Sequence, residues 1–188
     1  MRPFANQVEP FFGPADGGTV RRLNREMNIL FLLRHAKAVS MSDSLRDFDR
    51  SLSDQGRQQA ERVGKYLKEQ NIGLDLVLSS TALRARETTE LVLTAAECIS
   101  EVRYDQRMYE ASRQQLLEVV SEIEEDKNQV LLVGHNPGLE ELLQRLTGRF
   151  ASMGTGTLAK IAFGVSEWAE AAAAKGDLNW LFKPQISR

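Results

Sequence analysis

From residue 27 onward, runs of apolar residues alternate with segments whose apolar positions recur at helical spacing. Asn28–Leu33 (NILFLL) is a continuous apolar run, as in a strand buried on both faces. Ser53 can cap a helix reaching about Gln70, with Ala60, Val63 and Leu67 on one stripe. Leu74–Leu78 (LDLVL) reads as a second strand, followed from about Ala82 by a helix carrying Ala85, Thr89, Val92 and Ala96 on one face. Glu101–Tyr104 reads as a short strand. Ser112 and Gln115 form a capping box, and Leu116, Val119, Val120 and Ile123 continue it at helical spacing. Gln129–Val133 (QVLLV) is a further buried strand ending at Gly134. Asn136 is expected to cap the next helix, with Pro137 at its first position and Leu139, Leu142, Leu143 and Leu146 as its stripe. Thr157–Phe163 reads as a late strand and Ser166–Lys175 as a late helix. This alternation predicts a three-layer α/β/α sandwich with a mostly parallel central sheet.

Residues 1–26 break the rhythm. They hold three of the five prolines and sustain no period, so a flexible extension is expected, with a domain over 27–188. The competing expectation is a short arm packed through Phe4, Phe11 and Phe12. The segment has no serine and no long apolar core, unlike a transit peptide or secretory signal.

Composition narrows the function classes. At 42% hydrophobic and 27% charged residues, the chain has ordinary globular usage, which argues against wholesale disorder. No apolar run approaches the roughly 18–20 residues of a membrane span. A net charge of −2 favours neither nucleic acid nor an anionic membrane as partner. The single cysteine, Cys98, excludes an internal disulfide and a cysteine-rich zinc site, and suits a cytoplasmic setting.

The two histidines, His35 and His135, lie 100 residues apart, yet each follows a predicted strand. In open α/β sheets, ligands bind outside the carboxyl ends of the strands. Three segments fall there: Arg34-His35-Ala36-Lys37, Ser79-Ser80 leading to Arg84, and Gly134-His135-Asn136-Pro137. Each alone fits an ordinary strand–helix connection; together they suggest a site. Arg34 and Arg84 can grip a tetrahedral anion through charge-assisted hydrogen bonds. One neutral imidazole can attack phosphorus, and the other can donate to a phosphoryl oxygen. Free N–H groups at the helix start after Asn136 can add to the anion site. Two distant histidines, without a close His pair or an HExxH, fit a metal site poorly, and no P-loop is present. No metal and no cofactor are expected.

In these motifs the chain resembles the histidine phosphatase superfamily, the phosphoglycerate mutase-like proteins. The family's Arg-His-Gly appears as Arg34-His35-Ala36. Its Ser-x-x-x-Arg-Ala-x-x-Thr appears as Ser80 to Thr88, its Gly-His-Asn as Gly134-His135-Asn136, and its Leu-Thr-x-x-Gly-x-x-Gln-Ala as Leu52 to Ala60. The resemblance spans about Met27 to Lys183. It is most similar to the small SixA-type phosphohistidine phosphatases, through the Arg-x-Leu segment Arg50-Ser51-Leu52 and an ending like Leu178–Pro184. The resemblance implies His35 as phosphorylated nucleophile, with Arg34, Arg84 and His135 completing the phosphate pocket. Arg86 is the alternative to Arg84, but the Arg-Ala register favours Arg84.

Members that cleave phosphate esters carry a glutamate that protonates the leaving group, and the matching segment here, Arg107 to Ser112, fits that pattern poorly. Glu110 is the one candidate acid, and it is equally a surface residue ahead of a capped helix. Weak acid machinery favours an N–P bond over an alkyl ester. Arg50, Asn136 and Lys37 are further candidates for the substrate entrance. The resemblance therefore implies a metal-independent hydrolase acting on a phosphohistidine-bearing protein, and a monomer is expected. The alternatives are a small-molecule phosphomonoesterase and a non-catalytic phosphate-binding module.

Overall fold

The structure is a computed structural model that describes residues 8–10, 27–41 and 46–186. Its strands are β1 (Val8–Pro10), β2 (Ile29–Arg34), β3 (Leu76–Ser80), β4 (Glu101–Asp105), β5 (Gln129–Gly134), β6 (Leu158–Ala162) and β7 (Asp177–Phe182). Its helices are α1 (Asp54–Glu69), α2 (Leu83–Ala96), α3 (Arg113–Ser121), α4 (Gly138–Thr147) and α5 (Trp168–Ala173). One seven-stranded sheet runs in the order β1-β7-β6-β2-β5-β3-β4. The pairs β2–β5, β5–β3 and β3–β4 are parallel, whereas β6 runs antiparallel to β2 and β7, and β1 antiparallel to β7. The predicted sandwich is therefore observed, with an antiparallel margin on one side of its parallel centre.

The apolar strand runs are buried on both faces because alternate residues enter two cores. Leu30 and Leu32 of β2 and Val130 and Leu132 of β5 join Leu116, Val120, Leu139, Leu142 and Leu146 beneath α3 and α4. Phe31, Leu33, Leu131 and Val133 join Ala60, Val63, Leu67, Ala85 and Val92 beneath α1 and α2. Helix ends follow local chemistry. Ser53 Oγ accepts from Gly56 N at the start of α1, the Ser112–Gln115 capping box opens α3, and Gly148 ends α4 at φ 71°.

Several boundaries differ from expectation. Asn136 does not cap α4: Pro137 occupies that position, and the Asn136 amide donates to Met153 O at 3.0 Å. That bond uses the amide N–H and orients the side chain toward a distant loop, and its Oδ1, the atom a cap would use, accepts from no backbone N–H. The late helix is only Trp168–Ala173, and residues 177–182, foreseen only as a family-like ending, form β7. Of the segment expected as a flexible extension, Val8–Pro10 pairs with Pro10 opposite Trp180 on β7; the rest, including Phe4, Phe11 and Phe12, lies outside the described residues. No helix among the described residues is long and apolar enough to cross a membrane.

Candidate active site

The carboxyl ends of β2, β3 and β5 lie side by side, with Leu33 opposite Val133 and Ser79 opposite Val133 on the other flank. The residues that follow them converge. The His35 and His135 rings lie 4.9 Å apart between centroids, and both residues are buried. Arg84, at the start of α2 and only 4% exposed, joins them: Nε donates to His35 Nε2 and Nη2 contacts His135 Nδ1, both at 3.3 Å.

These contacts fix both tautomers. The Ala36 carbonyl can only accept, so His35 Nδ1, 2.8 Å away, carries the proton. Arg84 can only donate, so His35 Nε2 presents its lone pair. By the same logic His135 Nδ1 accepts from Arg84, which leaves the proton on Nε2 to donate to Ser80 Oγ at 2.8 Å. Burial pushes the His35 imidazole down to about 4, and the charges of Arg84, Arg34 and Arg50 add to that effect against the hydrogen bond to Ala36 O. Burial, then His35 and Arg84, push His135 down to about 3, opposed by Asp47. Both rings are neutral at pH 7, and His35 is unprotonated at the nitrogen that faces Arg84.

The surroundings hold this arrangement. Thr88, the threonine of the Ser-x-x-x-Arg-Ala-x-x-Thr segment, receives Ala36 N at 3.0 Å and donates to Arg84 O at 2.6 Å. Its hydroxyl therefore ties the histidine loop to the helix that carries the arginine. Arg34 Nη1 donates to Met153 O at 2.9 Å, the carbonyl it shares with Asn136. Arg34 Nε is buried with no hydrogen-bond partner, and such a donor fits an anion oxygen.

A carboxylate missed by the sequence reading completes the cluster. Asp47 Oδ2 accepts from Arg84 Nη2 at 2.9 Å and from the Tyr109 hydroxyl at 3.0 Å, while Oδ1 pairs with Arg50 at 2.7 Å. Burial alone would push the Asp47 carboxyl up. The Tyr109 hydrogen bond, the Arg84 charge and the hydrogen bonds from Arg50 and Arg84 outweigh it and hold the group below the usual carboxylate range. Arg34, Arg84 and Arg50 gather here against Asp47, with Glu140 acting on Arg34 from beside Met153, so positive charge prevails around the histidines, as suits an anion. Asp47 carries no pattern signal in the sequence; Tyr109 was hidden beside the better-looking Glu110.

The other candidates fall at different distances from this centre. Arg50 reaches Arg84 only through Asp47, and Lys37 is exposed and bound to Gln55. Arg86 is exposed and lies over the Tyr104 ring at 5.0 Å, so Arg84 is the arginine brought to the histidines. Glu110 is exposed at φ 49° and makes no hydrogen bond or ion pair among the described residues. Among those residues, no group of three or more His, Cys, Asp or Glu is placed to hold a metal ion.

Comparison with known proteins gives a concordant picture. Residues 30–126 match the model of the histidine phosphatase superfamily, branch 1. The uncharacterized protein ML1117 of Mycobacterium leprae (strain TN) is 33% identical over 119 residues, covering 62% of this chain and 71% of that protein. A solved structure assigned as phosphohistidine phosphatase SixA from Nakamurella multipartitia superposes with a TM-score of 0.76 at 28% identity, covering 85% of this chain and 98% of that one. A second, assigned as SixA from Agrobacterium tumefaciens, gives 0.67 at 33% identity, covering 71% and 90%.

Proposed function

Because the chain belongs to the histidine phosphatase superfamily, we propose that it is a metal-independent phosphatase that removes phosphate from histidine on a partner protein, through a phosphorylated His35. The observation that carries this is the fixed tautomer of His35: its Nε2 lone pair faces the Arg84 guanidinium in a buried, positively charged pocket. Nε2 attacks phosphorus while the substrate's P–N bond breaks. The leaving imidazole, protonated on its far nitrogen from solvent near neutral pH, departs as a neutral base. The new bond makes the His35 ring cationic, and Ala36 O accepts the Nδ1 proton's hydrogen bond and stabilises that charge. Arg34, Arg84 and His135 are placed to hold the phosphoryl oxygens. Water then displaces the phosphoryl group from His35, releasing inorganic phosphate and the neutral ring.

The acidic groups support an N–P substrate over an alkyl ester. Asp47 is held ionised by its three donors, and Glu110 is exposed and held by no hydrogen bond or ion pair among the described residues, so neither is a positioned proton donor to an alkoxide. The named SixA structures point the same way. The proposed working form is a cytoplasmic monomer.

The test is turnover of a phosphohistidine peptide, a phosphoserine peptide and sugar phosphates in the presence of EDTA, with His35→Ala as control. Preference for phosphohistidine, with labelled phosphate trapped on wild-type His35, is expected. Turnover of sugar phosphates alone would move the protein to the small phosphomonoesterases. Anion binding without a phosphoenzyme would make it a binding module.

A further inference from the structure

Arg84 must serve two imidazoles with one guanidinium, and its long side chain does not fix the plane of that group by itself. Asp47 does. Its backbone carbonyl accepts from Arg84 Nη1 at 2.6 Å and its carboxylate from Nη2 at 2.9 Å, so both outer nitrogens are held by one residue. Asp47 is braced in turn. Arg50 Nε donates to Oδ1 at 2.9 Å while Arg50 Nη1 is anchored on Val39 O, and the Tyr109 hydroxyl donates to Oδ2. The Tyr109 ring stands edge-on to His135 at 5.6 Å and to Phe48 at 5.1 Å.

A carboxylate beside a phosphate site opposes the binding of a dianion. Its benefit therefore lies in geometry rather than affinity. We propose that Asp47, braced by Arg50 and Tyr109, is a positioning residue that sets the Arg84 guanidinium for the trigonal-bipyramidal phosphoryl of the transition state, at some expense to binding of the tetrahedral ground state. This rests on the phosphatase reading above and deepens it.

The test separates a ground-state anion from a transition-state mimic. Inorganic phosphate and orthovanadate affinities are measured by calorimetry for the wild type, Asp47→Asn and Tyr109→Phe, together with hydrolysis of p-nitrophenyl phosphate. In Asp47→Asn, kcat is expected to fall about 10–100-fold and vanadate to weaken at least about 10-fold, with phosphate unchanged within about threefold or tighter. Tyr109→Phe keeps the ring and loses the hydroxyl, so it should shift the same quantities about 3–5-fold. It also carries the test if Asp47→Asn does not fold. Phosphate and vanadate weakening in parallel, or kcat and vanadate affinity both within twofold of wild type, would overturn the positioning role. Wild-type protein that binds vanadate yet turns over no phosphorylated substrate would defeat the phosphatase reading, while the split between the two anions would still decide the role of Asp47.

Discussion

At the scale of single residues, the candidate site keeps two buried imidazoles neutral. His35 is held near 4 and His135 near 3, both below the ordinary histidine value. Since the chain has only these two histidines, their ring C2–H signals can be followed by NMR without ambiguity. Neither should show a midpoint between pH 5 and 8, and a titration near about 6.5 for either ring would contradict the buried, neutral arrangement. The consequence for stability has a definite sign. The unfolded chain protonates its histidines near about 6.5, whereas the fold resists protonation until about pH 4. The unfolded state thus binds more protons in that window, and stability present above it is lost as pH falls through it. Thermal unfolding should show a drop in Tm from pH 6.5 toward 4 that is smaller in His35→Ala than in wild type. Single residues also mark where sequence reasoning stops. His35, Arg84 and His135 were legible because each sits in a short motif at a strand end. Asp47 was not, because its role comes from three partners on separate segments, Arg50, Arg84 and Tyr109.

At the scale of elements, the site depends on how closely helices approach the loops behind the strands. A Cβ on Gly56, in the first turn of α1, would lie 2.0 Å from Lys37 O, and this backbone cannot yield as a flexible side chain would. Gly56→Ala should cost roughly 1–3 kcal/mol despite the better helix propensity of alanine. Activity should fall further than stability alone explains, because the displaced backbone lies two residues from His35. Gly73→Ala is the control: nothing lies within 4 Å of its Cβ, and stability should change by less than about 0.5 kcal/mol. Urea unfolding of both variants, with kcat measured alongside, checks the contrast. The elements themselves were readable where one local rule decides them. Ser53 and Ser112 cap α1 and α3 through their own hydroxyls, and the strand runs enter both cores by simple alternation. Asn136 misled because its side chain is oriented by an N–H bond to a carbonyl 17 residues away, and its Oδ1 meets no N–H of the helix start. β7 escaped notice because a bulge interrupts its period. Lys160 pairs with Trp180 but Ile161 with Leu178, so Leu178 and Phe182 enter opposite cores despite their even spacing.

At the scale of the molecule, a chain of net charge −2 concentrates positive charge in one buried pocket, so anion binding should be local and saturable. A ligand that binds only the folded state stabilises it by about 2.7 kcal/mol at 100 times its Kd. For a chain of this size that is a Tm rise of roughly 5–10 °C. Orthovanadate should produce such a shift in wild type and little or none in Arg84→Ala; an equal shift in both would place the anion elsewhere. The whole-molecule architecture was largely visible in advance, since four parallel strands and their helices declare themselves by period. The antiparallel margin was not, because pairing partners are not written in either strand. That sheet order also governs how the protein comes into being. β2 pairs with β5 across about a hundred residues of intervening chain, and only that pairing brings His35 beside His135. Helices α1 and α2 can form from contacts near in sequence, whereas the pocket waits for the slowest loop closure. In refolding from denaturant, vanadate binding should therefore return after most of the helical circular dichroism, which makes the candidate site a reporter of the last stage of assembly.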